Sequence, residues 1–423
     1  MMFFKLKAGA LQFAMFIIVV IALLLSAFII LIHTYNTFKV QTNHTIETIN
    51  NTDKGIFYAL QNNLQLNDTI LVDLQDEDYK TLKVHRSIWG VFEKVVSVSS
   101  IKNKSFKKTA LIGAKQPKIN RTALYLEDHN KPLVLVGNTR IEGVAYIPKQ
   151  GLRTGNISGH SYYGEHLIYG KNKFSNKLPG LNTSVLKSIE DIDKKLISIN
   201  EDQFLDLKQR ASYQNSFYEP LKVLYSPSDL KLIGVTLTGH IIIQSKTKII
   251  VDASSKLKDV ILIAPKIEIR NNVEGNFQVF ATEEVIVGKH CKLNYPSAII
   301  LNENRRVSQN PINNQQKTIS LKINVGSKIR GCVVYLGKTK NYKSQVLIDD
   351  KATIIGEVYC NQNVELLGKV YGSVFTSGFV ANQSGSAYQN HIYNGLININ
   401  ELPEEYIGLA FKNSKKGIAK WLY

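Results

Sequence analysis

The sequence predicts a mainly β fold: a three-sided parallel β-helix of about 18 residues per coil, with an N-terminal transmembrane helix and a helical insertion. Three observations predict it. Ala8 to Ile32, "AGALQFAMFIIVVIALLLSAFIILI", is apolar and carries no charged side chain. Ile267 to Glu284 reads in sixes as IEIRNN, VEGNFQ, VFATEE, with small or apolar residues at the first and third place of each. The residues that open successive units stand 18 apart: Ile249, Ile267 and Val285, then Val346 and Val364.

The apolar run opens the chain. As a helix it is roughly 37 Å long, enough to cross a hydrocarbon core of about 30 Å, and it is too long for a signal-peptide core. Residues 1–33 are therefore a transmembrane anchor. Lys5, Lys7 and the amino terminus precede the run, whereas Lys39 after it is balanced by Glu47. That asymmetry leaves the N-terminus in the cytoplasm and the bulk of the chain across the membrane. Residues 34–65 form a helical stalk, with Ile46, Ile49, Ile56 and Leu60 near helical spacing. Residues 66–133 hold short strands such as "TILVDL" and "TALYL" and make a β-rich region.

The repeat then supplies the rest. In a strand, places one and three of each six face the same way, and three strands with three corners close one triangular coil. A single coil buries a few aliphatic side chains worth about 1.5–3 kcal/mol each. Ordering its backbone costs roughly 1–2 kcal/mol per residue, so only stacked coils are stable. Residues 134–151, framed on Val134, form a first coil with one extra corner residue. Residues 152–230 are an insertion in which Val185, Ile189, Ile192, Leu196 and Ile199 share one helical face after a Thr183 or Ser184 cap, a face for packing on the coils. Residues 231–381 carry the main β-helix, with units framed on Lys231, Ile249, Ile267, Val285, Ile323, Val346 and Val364. Residues 382–423 form a C-terminal cap or tail that covers the last strand edges.

Two family resemblances follow from these residues. The leader "MMFFKLKAG" ends at Gly9 and the apolar helix begins with Ala10, which resembles type IV pilins and type II pseudopilins. The resemblance implies cleavage between Gly9 and Ala10, although Ala10 and Ala14 stand where that family usually has Phe and Glu. The stretch "VLIDDKATIIGEVYCNQNVELLGKVYGSVFTSG", Val346 to Gly378, resembles the bactofilins, and implies a polymer-forming β-helix.

The formal net charge of +18 favours acidic partners, but the lysines are scattered and form no dense block. Three cysteines make no disulfide framework; Cys291 and Cys360 fall at inward places and Cys332 at an outward one. Carboxylates gathered from neighbouring coils would signal an acid–base or calcium site. The fourth places hold Asp252, Arg270, Gly288, Gly326, Asp349 and Leu367, so no acidic stack forms. We expect no enzyme, no catalytic residues, no metal and no cofactor. The densest polar cluster is "GHSYYGEHLIYG", whose His160, Tyr162, Tyr163, Glu165 and His166 are candidates for glycan or partner contact. The expected function is a single-pass protein of the bacterial inner membrane with a structural or assembly role in the cell envelope. Two alternatives stay open: a minor pilin-like component of a secretion or pilus system, and a glycan-binding or glycan-cleaving β-helix protein. The expected partners are the membrane, an envelope glycan or other acidic surface, and pilin-like or identical subunits; no specific nucleic acid is expected.

Overall fold

The computed structural model describes residues 8–74, 79–192, 200–206, 210–303, 319–338, 342–412 and 414–423. The fold is mainly β, with a long apolar N-terminal helix and a closed, barrel-like sheet of parallel strands. The chain divides into two compact units. The first is the chain up to Ala59 with Thr69–His85 and Val96–Lys108; the second is Leu60–Asp68, Arg86–Val95 and Thr109–Tyr423.

Helix α1 (Ala8–Gln61) joins the expected anchor and stalk without a break. No proline interrupts it, and no glycine stands between Gly9 and Gly55. The strands after it are β1 (Asp68–Leu71), β2 (Lys80–Trp89), β3 (Phe92–Ile101) and β4 (Lys104–Lys115), hydrogen-bonded in sequence order. Two-residue turns join β2 to β3 and β3 to β4, connections that only antiparallel neighbours allow.

In the second unit, strands pair in parallel with the chain one circuit later. On one side Leu230, Ile249, Ile267, Val285, Leu321, Val346 and Val364 stand in a single row. On another, Gly275, Leu293, Ile329, Ile354, Val370, Ile397 and Ile141 do the same. A further row runs Ile243, Leu262, Val279, Ile299, Val333, Val358, Val374 and Leu124. Except for Gly275, all of these side chains belong to one buried interior cluster. Each circuit thus supplies apolar residues to the rows, and each contributes the 1.5–3 kcal/mol typical of a buried aliphatic.

The register corrects the sequence frame at three units. Leu230, not Lys231, pairs with Ile249, and Leu321, not Ile323, pairs with Val285. Near Val134 the residues in the interior cluster are Leu133 and Leu135, so that frame is also one residue late. Strand registers are strict because a one-residue slip turns the apolar set outward. Corners are not strict: Ile348 and Leu366 are level, yet the next strands begin at Thr353 and Lys369.

The order of the circuits also differs from chain order. His391–Tyr393 pairs with Val134–Val136, Leu396–Asn398 with Arg140–Glu142, and Val374–Thr376 with Leu124–Leu126. Residues 134–151 therefore stack on the final circuit and not before the one at Leu230. The exposed edge of the last circuit is covered by an earlier piece of chain, which meets the need to pair an open edge. Residues 382–423 are accordingly not a detached tail. Leu396–Asn398 continues the closed sheet, and Lys416–Leu422 pairs antiparallel with Thr109–Ala114 of β4.

Helix α2 (Thr183–Glu190) begins after Asn182, whose side chain accepts from the Ser184 amide at 2.8 Å, so the cap is one residue earlier than expected. Its Val185 and Ile189, with Ile192 beyond, are buried in an outer cluster with Ile242, Ile263, Phe280 and Ile300. Leu196 and Ile199 lie outside the described residues. Cys291 and Cys360 lie in the interior cluster and Cys332 in the outer one.

Candidate functional site

The feature with the clearest functional geometry is helix α1 and the strands that hold it. Along its first part Leu11, Phe16, Leu24 and Phe28 are all about two-thirds exposed, and apolar residues cover every side. A helix that is apolar all round has no face for water, and this one is long enough to cross a membrane. Thr34 and Thr37 return their hydroxyls to the carbonyls of Ile30 and His33, which satisfies them within the helix.

Further along, the same helix becomes one-sided. Thr48, Asn51, Thr52, Gly55, Ile56 and Ala59 are buried, and they share a face at helical spacing. The expected face was aliphatic, but Ile46 is 53% exposed and only Ile56 of the expected set is buried. Small residues win because strands must approach closely. A Cβ added to Gly55 would overlap the Ser97 hydroxyl and stand 3.0 Å from methyl carbons of Leu82 and Val84. Two ion pairs flank the contact, Lys80 with Glu47 at 2.5 Å and Lys108 with Asp53 at 2.6 Å. Partly exposed pairs of this kind contribute at most about 1 kcal/mol each. Gly9 and Ala10 lie in the first turns of α1 and are exposed; the leader up to Lys7 lies outside the described residues.

The histidine and tyrosine cluster is a surface loop that holds itself in shape. His160 and Ser161 pair with Ile157 and Asn156 in a short hairpin. Tyr162 donates its hydroxyl to the His166 carbonyl at 2.5 Å, and His166 meets the Tyr169 ring edge-on at 5.5 Å. Arg140 lies over Tyr169 at 4.1 Å and His160 is 6.1 Å from Tyr393. Tyr163 and Glu165 are exposed. The loop does not bring His160, Glu165 and His166 to one point, and among the described residues no group of His, Cys, Asp and Glu could hold a metal ion.

Sequence reasoning missed two polar clusters assembled from distant segments. Glu357 is buried and accepts from the Leu409 amide and from Gln116, both at 2.6 Å. Burial pushes its carboxyl up to about 7, against the pull of those hydrogen bonds and of Arg121. A carboxyl that keeps its proton in the folded state but not in the unfolded one weakens the fold as pH rises. Stability is therefore expected to fall by roughly 3 kcal/mol from pH 4.5 to pH 7 on this account and to level off above it. In Glu357→Gln, denaturant unfolding between pH 4.5 and 8 should lose that share of the slope. An unchanged slope would assign the pH dependence to other groups.

The second cluster is Glu127, His129 and Ser377. The Ser377 hydroxyl lies 2.8 Å from His129 Nε2 and donates to Glu127 at 2.6 Å. The carboxylate and the imidazole converge on one oxygen. An acyl-transfer triad needs the carboxylate on the other imidazole nitrogen to orient the base, and that arrangement is not made here. No local spacing could have revealed either cluster, because each joins segments more than 200 residues apart, Gln116 to Glu357 and His129 to Ser377.

No family model matches the chain, and no curated protein matches it. Among solved structures, one match is the crystal structure of the competence-associated pilin ComZ from Thermus thermophilus. It has 9% sequence identity and a TM-score of 0.22, and the match covers 90% of this chain and 96% of that chain. A TM-score this low carries no argument about the present fold.

Proposed function

We propose that the chain is a single-pass, membrane-anchored protein of the bacterial cell envelope with a pilin-like assembly or structural role. The observation that carries this reading is the continuity of α1. One helix runs from a stretch that is apolar and exposed on all sides to a face buried against strands by Thr52, Gly55 and Ile56. A rigid link of this kind transmits position from the membrane to the folded unit, as an assembly subunit requires. The charge asymmetry around Ala8 to Ile32 supports a cytoplasmic N-terminus with the remainder outside the cytoplasm. We read the closed parallel sheet as a three-sided β-helix displayed there, and the protein as a display or scaffold element and not an enzyme. Partners of the anchor are pilin-like or identical subunits that pack their apolar helices together.

Two measurements test this. A reporter fused after Tyr423 is expected to be active outside the cytoplasm; activity inside would reverse the topology. Intact mass of the protein recovered from membranes is expected to show a chain that begins at Ala10. A chain that keeps "MMFFKLKAG" would leave an ordinary anchor and remove the pilin-like part of the proposal.

A further inference from the structure

One side of the closed sheet carries an unbalanced row of positive charge. Its strands include Lys292–Asn294, Lys328–Arg330, Thr353–Ile355 and Lys369–Tyr371, with Leu293, Ile329, Ile354 and Val370 pointing to the interior. The flanking residues alternate outward. The register pairs Glu274 with Lys292, Lys292 with Lys328, Lys328 with Thr353, and Thr353 with Lys369. Each step is one interstrand spacing of about 4.8 Å. Lys258 and Arg330 are exposed on the parallel outward row.

The neighbouring side is built differently. There Lys248 meets Glu268 at 2.5 Å and Lys266 meets Glu283 at 3.7 Å, so these two lysines are answered by carboxylates. On the basic side Lys292, Lys328 and Lys369 are exposed, and among the described residues none of them makes an ion pair. Lys292 and Lys328 stand directly opposite each other, a like-charge pairing that destabilises a sheet. A bound polyanion removes that penalty and gains attraction along the row.

We infer that this side binds a linear anionic polysaccharide, laid along the stacking axis with its acidic groups over Lys292, Lys328 and Lys369. Lys292, Lys328 and Lys369 form one file, which fits a single extended chain whose charge repeats along its length. Duplex DNA presents phosphates on two strands across a groove roughly 12 Å wide. Single-stranded nucleic acid binds where aromatic rings stack its bases, and on these strands the sequence offers Tyr371 alone. The inference does not depend on the anchor reading, since it needs only the folded second unit.

The test uses the full chain in detergent micelles, with polygalacturonate as the probe and neutral dextran, single-stranded DNA and duplex DNA as comparisons at one salt concentration. Polygalacturonate is expected to bind and dextran not to. The triple variant Lys292→Gln, Lys328→Gln, Lys369→Gln should weaken polygalacturonate binding at least about tenfold, in line with the loss of several charge contacts. The control triple Lys248→Gln, Lys266→Gln, Lys322→Gln removes the same charge from the neighbouring side and should weaken it less than about twofold. The single variant Lys328→Gln should fall between, and melting curves should show all variants folded, because the replaced side chains lie on the surface. Equal weakening by both triples would reduce the effect to net charge and overturn the inference. So would tighter binding of either DNA than of polygalacturonate, or no binding of polygalacturonate.

Discussion

Replacing Val285 with Asp is expected to unfold or aggregate the second unit, whereas Lys289→Asp in the same circuit should change stability by about 0.5 kcal/mol or less. Val285 is fully buried and stands between Ile267 and Leu321 in an aliphatic row. The substitution removes a buried side chain worth about 1.5–3 kcal/mol. It also places a carboxylate where its neighbours in the row, Ile267 and Leu321, are aliphatic. Ionised, that group faces a desolvation penalty of several kcal/mol; protonated, it still loses hydrogen bonds to water. The sum is comparable with the entire stability of an ordinary domain, about 5–15 kcal/mol. Lys289 is exposed at the following corner, so its replacement meets water. Denaturant unfolding of the detergent-solubilised chain separates the two outcomes. Similar midpoints for both variants would mean that the row through Val285 is not a core.

How much of this was legible in the sequence follows from where the constraint is local. Inward places admit only small or apolar residues, so Ile249, Ile267 and Val285 announced both the period and the buried face. Corners carry no such constraint, and the frame drifted wherever the connection changed length, as between Leu230 and Ile249 and before Leu321. Pairing between remote segments leaves no periodic trace. Nothing in "VLVGNTRIEG" distinguishes a strand that precedes the circuit at Leu230 from one that follows the circuit at Leu396, because both demand the same alternation. The same limit hid Glu357, whose partners Gln116 and Leu409 come from opposite ends of the second unit. On α1 the aliphatic residues misled in a different way. Ile46 marked a face by its hydrophobicity, but the helix rests on strands through Thr52, Gly55 and Ala59, where small size and not apolarity admits the neighbour.

Gly356→Ala is expected to destabilise the second unit by roughly 3–5 kcal/mol, from backbone strain together with steric overlap. Gly331, Gly356 and Gly372 occupy one register position in three successive circuits. Their φ angles are 143°, 147° and 154°, a region that residues with a Cβ rarely enter. Strain alone accounts for about 1–3 kcal/mol. The second contribution is contact: a Cβ on Gly356 would overlap the carbonyl oxygen of Gly331, and one on Gly372 would overlap that of Gly356. Backbone cannot step aside as a side chain can, so neighbouring strands must part and their hydrogen bonds weaken. Gly385→Ala isolates the first contribution, because Gly385 also has positive φ, at 78°, but nothing lies within 4 Å of its added Cβ. That variant should cost only about 1–2 kcal/mol. Chemical unfolding of both variants measures the difference directly. If Gly356→Ala costs no more than Gly385→Ala, the circuits can separate at this position without penalty, and the glycine row reflects backbone conformation alone.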